Sequence, residues 1–175
     1  MHNKPLAVIV FEDDGNDAVQ ALWEVVEQLQ AKGLKVGGLL NKKDGQGGYI
    51  GEVICSVSDE REYRILVGRG AGASGCRLDS VALAESSEVP RQALDQGIDV
   101  LVINKFGIAE AEGGGLVAEI SRAVSEGVPV LSTVHDKYAE HWRSFSGELG
   151  IELFPMVDEV QAWLEVQLAE PASAQ

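Results

Sequence analysis

The chain has 175 residues, of which 45% are apolar and 24% charged, and it carries a net charge of −14. That length suffices for one domain burying roughly 70% of the surface its unfolded chain exposes. The acidic balance excludes broad nucleic-acid binding, which needs a basic face, and Cys55 and Cys76 alone make no disulfide framework.

Leu6–Phe11 is an apolar run and predicts a buried strand. Val19, Leu22, Val25, Val26 and Leu29 then recur at helical spacing over Asp17–Lys32, with Gly33 as the stop signal. Leu34–Leu40 is the next strand. From Asn41 to Val67 the pattern changes to a turn-rich NKKDGQGG, a strand Tyr49–Ser56, the polar DERE and a strand Tyr63–Val67; this predicts a β-hairpin excursion over residues 41–67. A glycine-rich stretch, GAGASGCR, occupies Gly70–Arg77, and Asp79 is placed to cap a helix over Ser80–Ser86, followed by a second helix over Val89–Gln96 with Pro90 near its start. Strands at Asp99–Asn104, Val128–Val134 and Ile151–Phe154 alternate with helices at Leu116–Glu126, Tyr138–Phe145 and Val157–Leu168. Such alternation predicts one α/β domain over residues 1–170, a mainly parallel sheet with helices on both faces, and a frayed tail at 171–175. The apolar runs are far shorter than the roughly 20 residues of a membrane span, and the opening MHNKPLAVIVF lacks the pattern of a signal peptide, so a cytoplasmic protein is expected.

In a parallel sheet, ligands gather beyond the carboxyl ends of the strands. Five segments are expected there: EDDGND, NKK, the glycine-rich loop, NKFGIAEAEGGG and STVHD. In the first of these, Glu12, Asp13, Asp14 and Asp17 crowd a helix N-terminus, where they suit the helix dipole but repel a triphosphate. A working phosphate loop of the Lys-Ser/Thr type is excluded at that turn. Gly70–Arg77 has the G-x-x-x-x-G frame of such a loop, but Cys76 and Arg77 stand where Lys and Ser or Thr belong. Its glycines still offer unhindered backbone N–H donors, and Arg69 and Arg77 add guanidinium groups, so this stretch is a candidate anion nest. In DVLVINKFG, Asn104 and Lys105 begin like a guanine-reading signature, but Gly107 replaces the carboxylate that would read the base. Lys105 can meet an anion directly, and Glu110 precedes three consecutive glycines, Gly113 to Gly115. His135 beside Asp136 has the makings of a general base, while His135 and His141 lack the spacing of a zinc pair.

The segments GCRLDSVALA, LVINKFGIAEAEGGGL and GVPVLSTV resemble an uncharacterised bacterial family of small P-loop-like proteins. That family is related to the thermophile-type nucleoside triphosphatases, and its members are often encoded near molybdate ABC-transporter genes. The resemblance implies a P-loop NTPase-like fold and a link to molybdate supply. The hydrolysing relatives carry G-x-x-G-x-G-K-T in the first turn, where this chain has EDDGND, and that departure argues against hydrolysis. The expected ligand is a small anion, a nucleotide or an oxyanion. It would be held by Arg69, Gly70, Gly72, Gly75, Cys76 and Arg77 from the loop, and by Asn104, Lys105, Gly107, Glu110 and Gly113 from the later segment. The competing readings are a nucleoside triphosphatase with a rebuilt active site and an adaptor docking a protein partner through residues 41–67. No cofactor is specified by any of these residues, and no metal-ligating pattern stands out.

Overall fold

The computed structural model describes residues 3–68 and 76–169. In chain order its elements are β1 (Leu6–Phe11), α1 (Asn16–Ala31), β2 (Val36–Lys43), β3 (Tyr49–Ser56), β4 (Glu62–Arg64), β5 (Leu66–Gly68), β6 (Cys76–Leu78) and α2 (Ser80–Gln96). There follow β7 (Val100–Val102), α3 (Ile108–Ala111), α4 (Val117–Ser125), β8 (Val130–His135), α5 (Ala139–Ser146), β9 (Gly150–Leu153) and α6 (Val157–Ala169).

Seven strands form one sheet in the order β4-β3-β2-β7-β8-β1-β9. The pairs β2–β7, β7–β8, β8–β1 and β1–β9 are parallel. The two-residue period of a strand divides the core between the faces. Ala7 and Ile9 of β1, with Val100 and Val102 of β7, pack under α1 and α6 against Leu22, Val25, Val26, Val160 and Trp163. Leu6 and Val8, with Leu101 and Ile103, face α2, α4 and α5 and meet Leu94, Ile120 and Trp142. This is the predicted α/β architecture, covered on both faces.

Where the structure departs from the sequence expectation, short-range chemistry explains the difference. The segment after Asn41 stays in the sheet: β3 pairs antiparallel with β2, and β4 with β3, so the predicted hairpin forms the sheet's antiparallel flank. The strand expected over Tyr63–Val67 is two, β4 and β5, interrupted at Ile65, whose N–H bonds Glu52 O at 2.8 Å while its carbonyl accepts from Asp79 N–H at 2.8 Å. The two helices expected between Ser80 and Gln96 are one, with Pro90 inside it. In the turn before that proline, the hydroxyls of Ser86 and Ser87 bond the carbonyls of Leu83 and Ala84 at 2.9 and 2.7 Å. Asp79 caps this helix as expected, its Oδ1 accepting from Val81 and Ala82 N–H at 3.0 Å each.

Gly38 marks the tightest backbone approach. Its φ is +120°, and a Cβ placed there would stand 1.8 Å from Val102 O, inside the β2–β7 ladder. Gly38→Ala therefore combines strained backbone with a collision against a carbonyl that cannot swing aside. The expected loss is roughly 3 kcal/mol or more of stability, measured as a lower urea midpoint.

Candidate functional site

The parallel strands bring their carboxyl ends to one edge, and Phe11 and His135, paired in register, lie at its middle. Their rings meet edge to face with centroids 5.2 Å apart. The first turn leaves β1 here. Asp13 Oδ1 accepts from Gly15 N–H at 2.9 Å, and Asp14 Oδ1 accepts from Asn16 N–H at 3.0 Å. Amides at the start of α1, where a phosphate would be cradled, are thus occupied by the turn's own carboxylates.

A second loop straps this turn. Tyr49, the first residue of β3, donates its hydroxyl to Asp14 O at 2.6 Å, and Gln20 Nε2 donates to Gly48 O at 2.9 Å. Burial, with the carboxylates of Asp14 and Asp13 nearby, pushes the Tyr49 phenol above its ordinary pKa, which keeps it a donor. Asp44 Oδ1 orders the loop by accepting from Gln46 N–H at 2.7 Å and Gly48 N–H at 2.9 Å.

Beyond β7, Asn104 O accepts from Thr133 Oγ1 at 2.8 Å, and Phe106 N–H bonds Thr133 O at 2.7 Å. Phe106 is buried between Trp142 and Phe145, with ring centroids 5.6 and 5.4 Å away. These contacts hold Lys105 at the rim, exposed and without an ion-pair partner among the described residues. Glu110 closes the segment, its two oxygens accepting from Gly107 N–H at 2.9 Å and Leu116 N–H at 3.0 Å. The last of the three glycines, Gly115, has φ +55°, and a Cβ there would stand 2.0 Å from Glu110 Oε2. Three glycines in a row therefore serve, at least at this position, to let the chain wrap around the Glu110 carboxylate.

His135 Nδ1 accepts from Lys137 N–H at 3.1 Å, which places the proton of a neutral ring on Nε2. Between α3 and α5 lies a cleft of about 440 Å³, bordered by Glu110, Gly113, Glu140 and His141. Among the described residues, no group of three His, Cys, Asp or Glu is arranged to hold a metal ion. Among the same residues, no helix is long and apolar enough to cross a membrane.

The expected site residues thus fall into three sets. Asn104, Lys105, Gly107, Glu110 and Gly113 form one loop at the carboxyl edge, with Glu110 serving as its internal tie. Cys76 and Arg77 belong to β6, which pairs antiparallel with β5 in a separate two-stranded sheet. β6 is followed, after Asp79, by α2, so the helix after the glycine-rich stretch is reached through a strand. The β5–β6 ribbon continues from β4, three strands from β7, or roughly 14 Å at the usual inter-strand spacing. Arg69, Gly70, Gly72 and Gly75 lie outside the described residues. Sequence reasoning missed the Glu110 bridge, although G-x-x-E resembles a capping box with glycine at its head. It also missed the cleft, although His141, Ser144 and Phe145 stand at i, i+3 and i+4 on one helix face.

A family model described as "Protein of unknown function (DUF2478)" matches residues 6–163. The chain belongs to the DUF2478 family. It is also 35% identical over 163 residues to the molybdenum import ATP-binding protein ModC 2 of Bradyrhizobium diazoefficiens. That match takes in 92% of this chain but spans only 18% of the length of ModC 2. Among solved structures, the fold matches that of a human cancer-related nucleoside triphosphatase with a TM-score of 0.63 and 16% identity, covering 94% of this chain and 99% of that one. It matches THEP1 from the hyperthermophile Aquifex aeolicus with a TM-score of 0.59 and 14% identity, covering 91% and 95%. The fold is that of the P-loop NTPase-like proteins.

Two predictions follow from the geometry of this edge. Glu110→Ala strands the Gly107 and Leu116 amides, and the expected cost is about 2 kcal/mol. Hydrogen exchange at those two amides should quicken, with Glu110→Gln less affected because it retains one acceptor. Separately, the Gln46 and Gly48 amides hold the Asp44 carboxyl below its ordinary value of 3.8. The turn's order is therefore fully present above that value and is lost as pH falls through the depressed one; the Gln46 and Gly48 amide shifts report it in an acid titration.

Proposed function

We propose that this chain is a cytoplasmic module that binds a small oxyanion at the carboxyl edge of its sheet, does not hydrolyse nucleotide there, and serves molybdenum supply. The observation that carries this reading is the first turn, where Asp13 and Asp14 occupy the amides of Gly15 and Asn16. A β- or γ-phosphate entering there must displace two carboxylates and face Glu12 and Asp17 as well, with no lysine in the turn. Lys105 supports the positive half of the reading as an exposed cation beside Asn104 and the glycine-rich backbone. Arg69 and Arg77 would complete the site if the loop between β5 and β6 reaches across to β7. The molybdenum link is supported by the match to part of ModC 2, a protein named for molybdenum import. The second reading, a nucleoside triphosphatase with a rebuilt site, is favoured by the likeness of fold to a nucleoside triphosphatase.

Calorimetric titration with molybdate, tungstate, sulfate, phosphate, ATP and GTP separates the two. Saturable binding of a tetrahedral oxyanion is expected, with magnesium-dependent phosphate release from nucleotide below roughly 1 per second. Lys105→Gln and Arg77→Gln should each weaken the anion about ten- to a hundredfold, the loss of one charge-assisted bond. Their double mutant should depart from additivity if they share the ligand. Unchanged affinity in both single mutants overturns the site, and rapid turnover abolished by Lys105→Gln establishes the rebuilt enzyme instead.

A further inference from the structure

The seven-stranded sheet ends at β4 on one side and at β9 on the other. β4 is three residues long and holds the charged Glu62 and Arg64 at its exposed positions, a guard against pairing with another chain. On β9 the one charged residue, Glu152, is drawn onto α5 by Arg143, at 2.7 and 2.9 Å. β1 takes one side of β9, and no backbone group outside β1 bonds it among the described residues. Exposed hydrophobics flank the strand, Leu149 before it and Phe154 and Met156 after it. Phe154, 69% exposed, is the most open large hydrophobic among the described residues. The charges bordering β9 balance as well. Lys4, whose Nζ bonds Glu148 O and Gly150 O at 3.4 Å each, and Arg143 stand against Glu148 and Glu152. In a chain of net charge −14, this flank is a strip that a like-charged copy can approach.

A second copy turned about a twofold axis normal to the sheet runs its β9 antiparallel to the first and keeps each face on its own side. Residues opposite one another must then share a face. Ile151 and Leu153 pack toward α1 and α6, whereas Glu152 reaches Arg143 of α5 on the other face. Near the middle of β9 the axis can therefore pass through Ile151 or through Glu152. An axis at Glu152 sets two carboxylates directly opposite each other, which is unfavourable. An axis at Ile151 sets Ile151 against its own copy, Glu152 against Gly150 and Leu153 against Leu149, and it brings Phe154 beside Leu149 and Glu148 of the second copy. We propose that this chain forms a twofold-symmetric dimer through β9, paired antiparallel about Ile151, which joins two seven-stranded sheets into one. The interface is separate from the anion site, since β9 stands three strands from β7.

The test is sedimentation equilibrium of the full chain over a range of concentrations, joined to oxidative cross-linking in a Cys76→Ser background. The mean mass should climb from one chain toward two with concentration, and more readily as salt rises, because screening relieves the repulsion of two chains of charge −14. Phe154→Ser, at an exposed position, should keep its thermal midpoint and weaken the dimer about tenfold or more, because two phenyl rings lose their cover. Ile151→Cys should oxidise to a linked dimer, since directly opposed residues stand about 5 Å apart. Glu152→Cys should not, since the two positions 152 lie on a diagonal of about 7–8 Å. Hydrogen exchange tests the same interface in the unmodified protein: the β9 amides should slow as concentration rises. The proposal is overturned if the mass stays that of one chain up to roughly 1 mM, or if Phe154→Ser leaves the dimer unchanged. It is also overturned if Glu152→Cys links as fast as Ile151→Cys, or if a dimer forms whose β9 amides exchange as fast as in the monomer.

Discussion

Because β1 is buried on both faces and paired on both sides, by β8 and by β9, the chain leaving Phe11 has little freedom in where it goes. It must emerge at the carboxyl edge beside His135 and turn at once into α1, whose apolar stripe completes one core layer. Parallel pairing then delivers the ends of β2, β7 and β8 to the same edge, since every parallel neighbour of β1 runs the same way. The chain steps from β1 out to β2, returns through β7 and β8, and crosses β1 to reach β9. The order of strands thus reverses around β1, the position where an open sheet leaves a crevice.

What occupies that crevice is decided by charge. A helix N-terminus presents free amides and a positive pole, and an anion from outside is one way to satisfy them. Here the first two amides of the turn, those of Gly15 and Asn16, are taken from within by Asp13 and Asp14, and the strap from Tyr49 and Gly48 holds the turn in that state. An intramolecular carboxylate needs no binding entropy, so an external phosphate has to compete against a group held permanently in place. A fold shared with a nucleoside triphosphatase of known structure thus has, at the first turn of this chain, two amides already bonded to neighbouring carboxylates.

Much of this was legible in the sequence, and the parts that were not share a cause. The bounds of β1 and β3 follow from apolar runs flanked by turn residues, and the alternation of strands with helices gives the layered sheet. Four acids in the first turn announced its electrostatics, but not which amides they would fill, because that depends on the φ of +79° at Gly15. The ribbon of β5 and β6 escaped because two three-residue strands are too short to carry a period, whereas the glycines between them carry a strong motif-like signal. One helix appeared as two because Pro90 reads locally as a start, while the packing of Leu94 on the sheet holds the helix together across it. Glu110 looked like a ligand group because it is a carboxylate beside glycines. Its actual partners are amides three positions before it and six after it, and no periodicity encodes such a contact.

The Glu110 bridge also shapes the field around Lys105. Both side chains approach Gly107, with Lys105 Cε and Glu110 Oε1 standing 3.4 and 3.6 Å from where a Cβ of Gly107 would be. A carboxylate so near would ordinarily be the lysine's partner, yet the two are not paired. Two backbone amides direct the oxygens of Glu110 inward along the loop, and amide dipoles offset part of its charge. The ammonium is left at the surface, its stem running close beside Gly107. The glycine, the inward carboxylate and the outward lysine thus act as one device: the bond that stiffens the loop is also what keeps its cation unpaired at the rim.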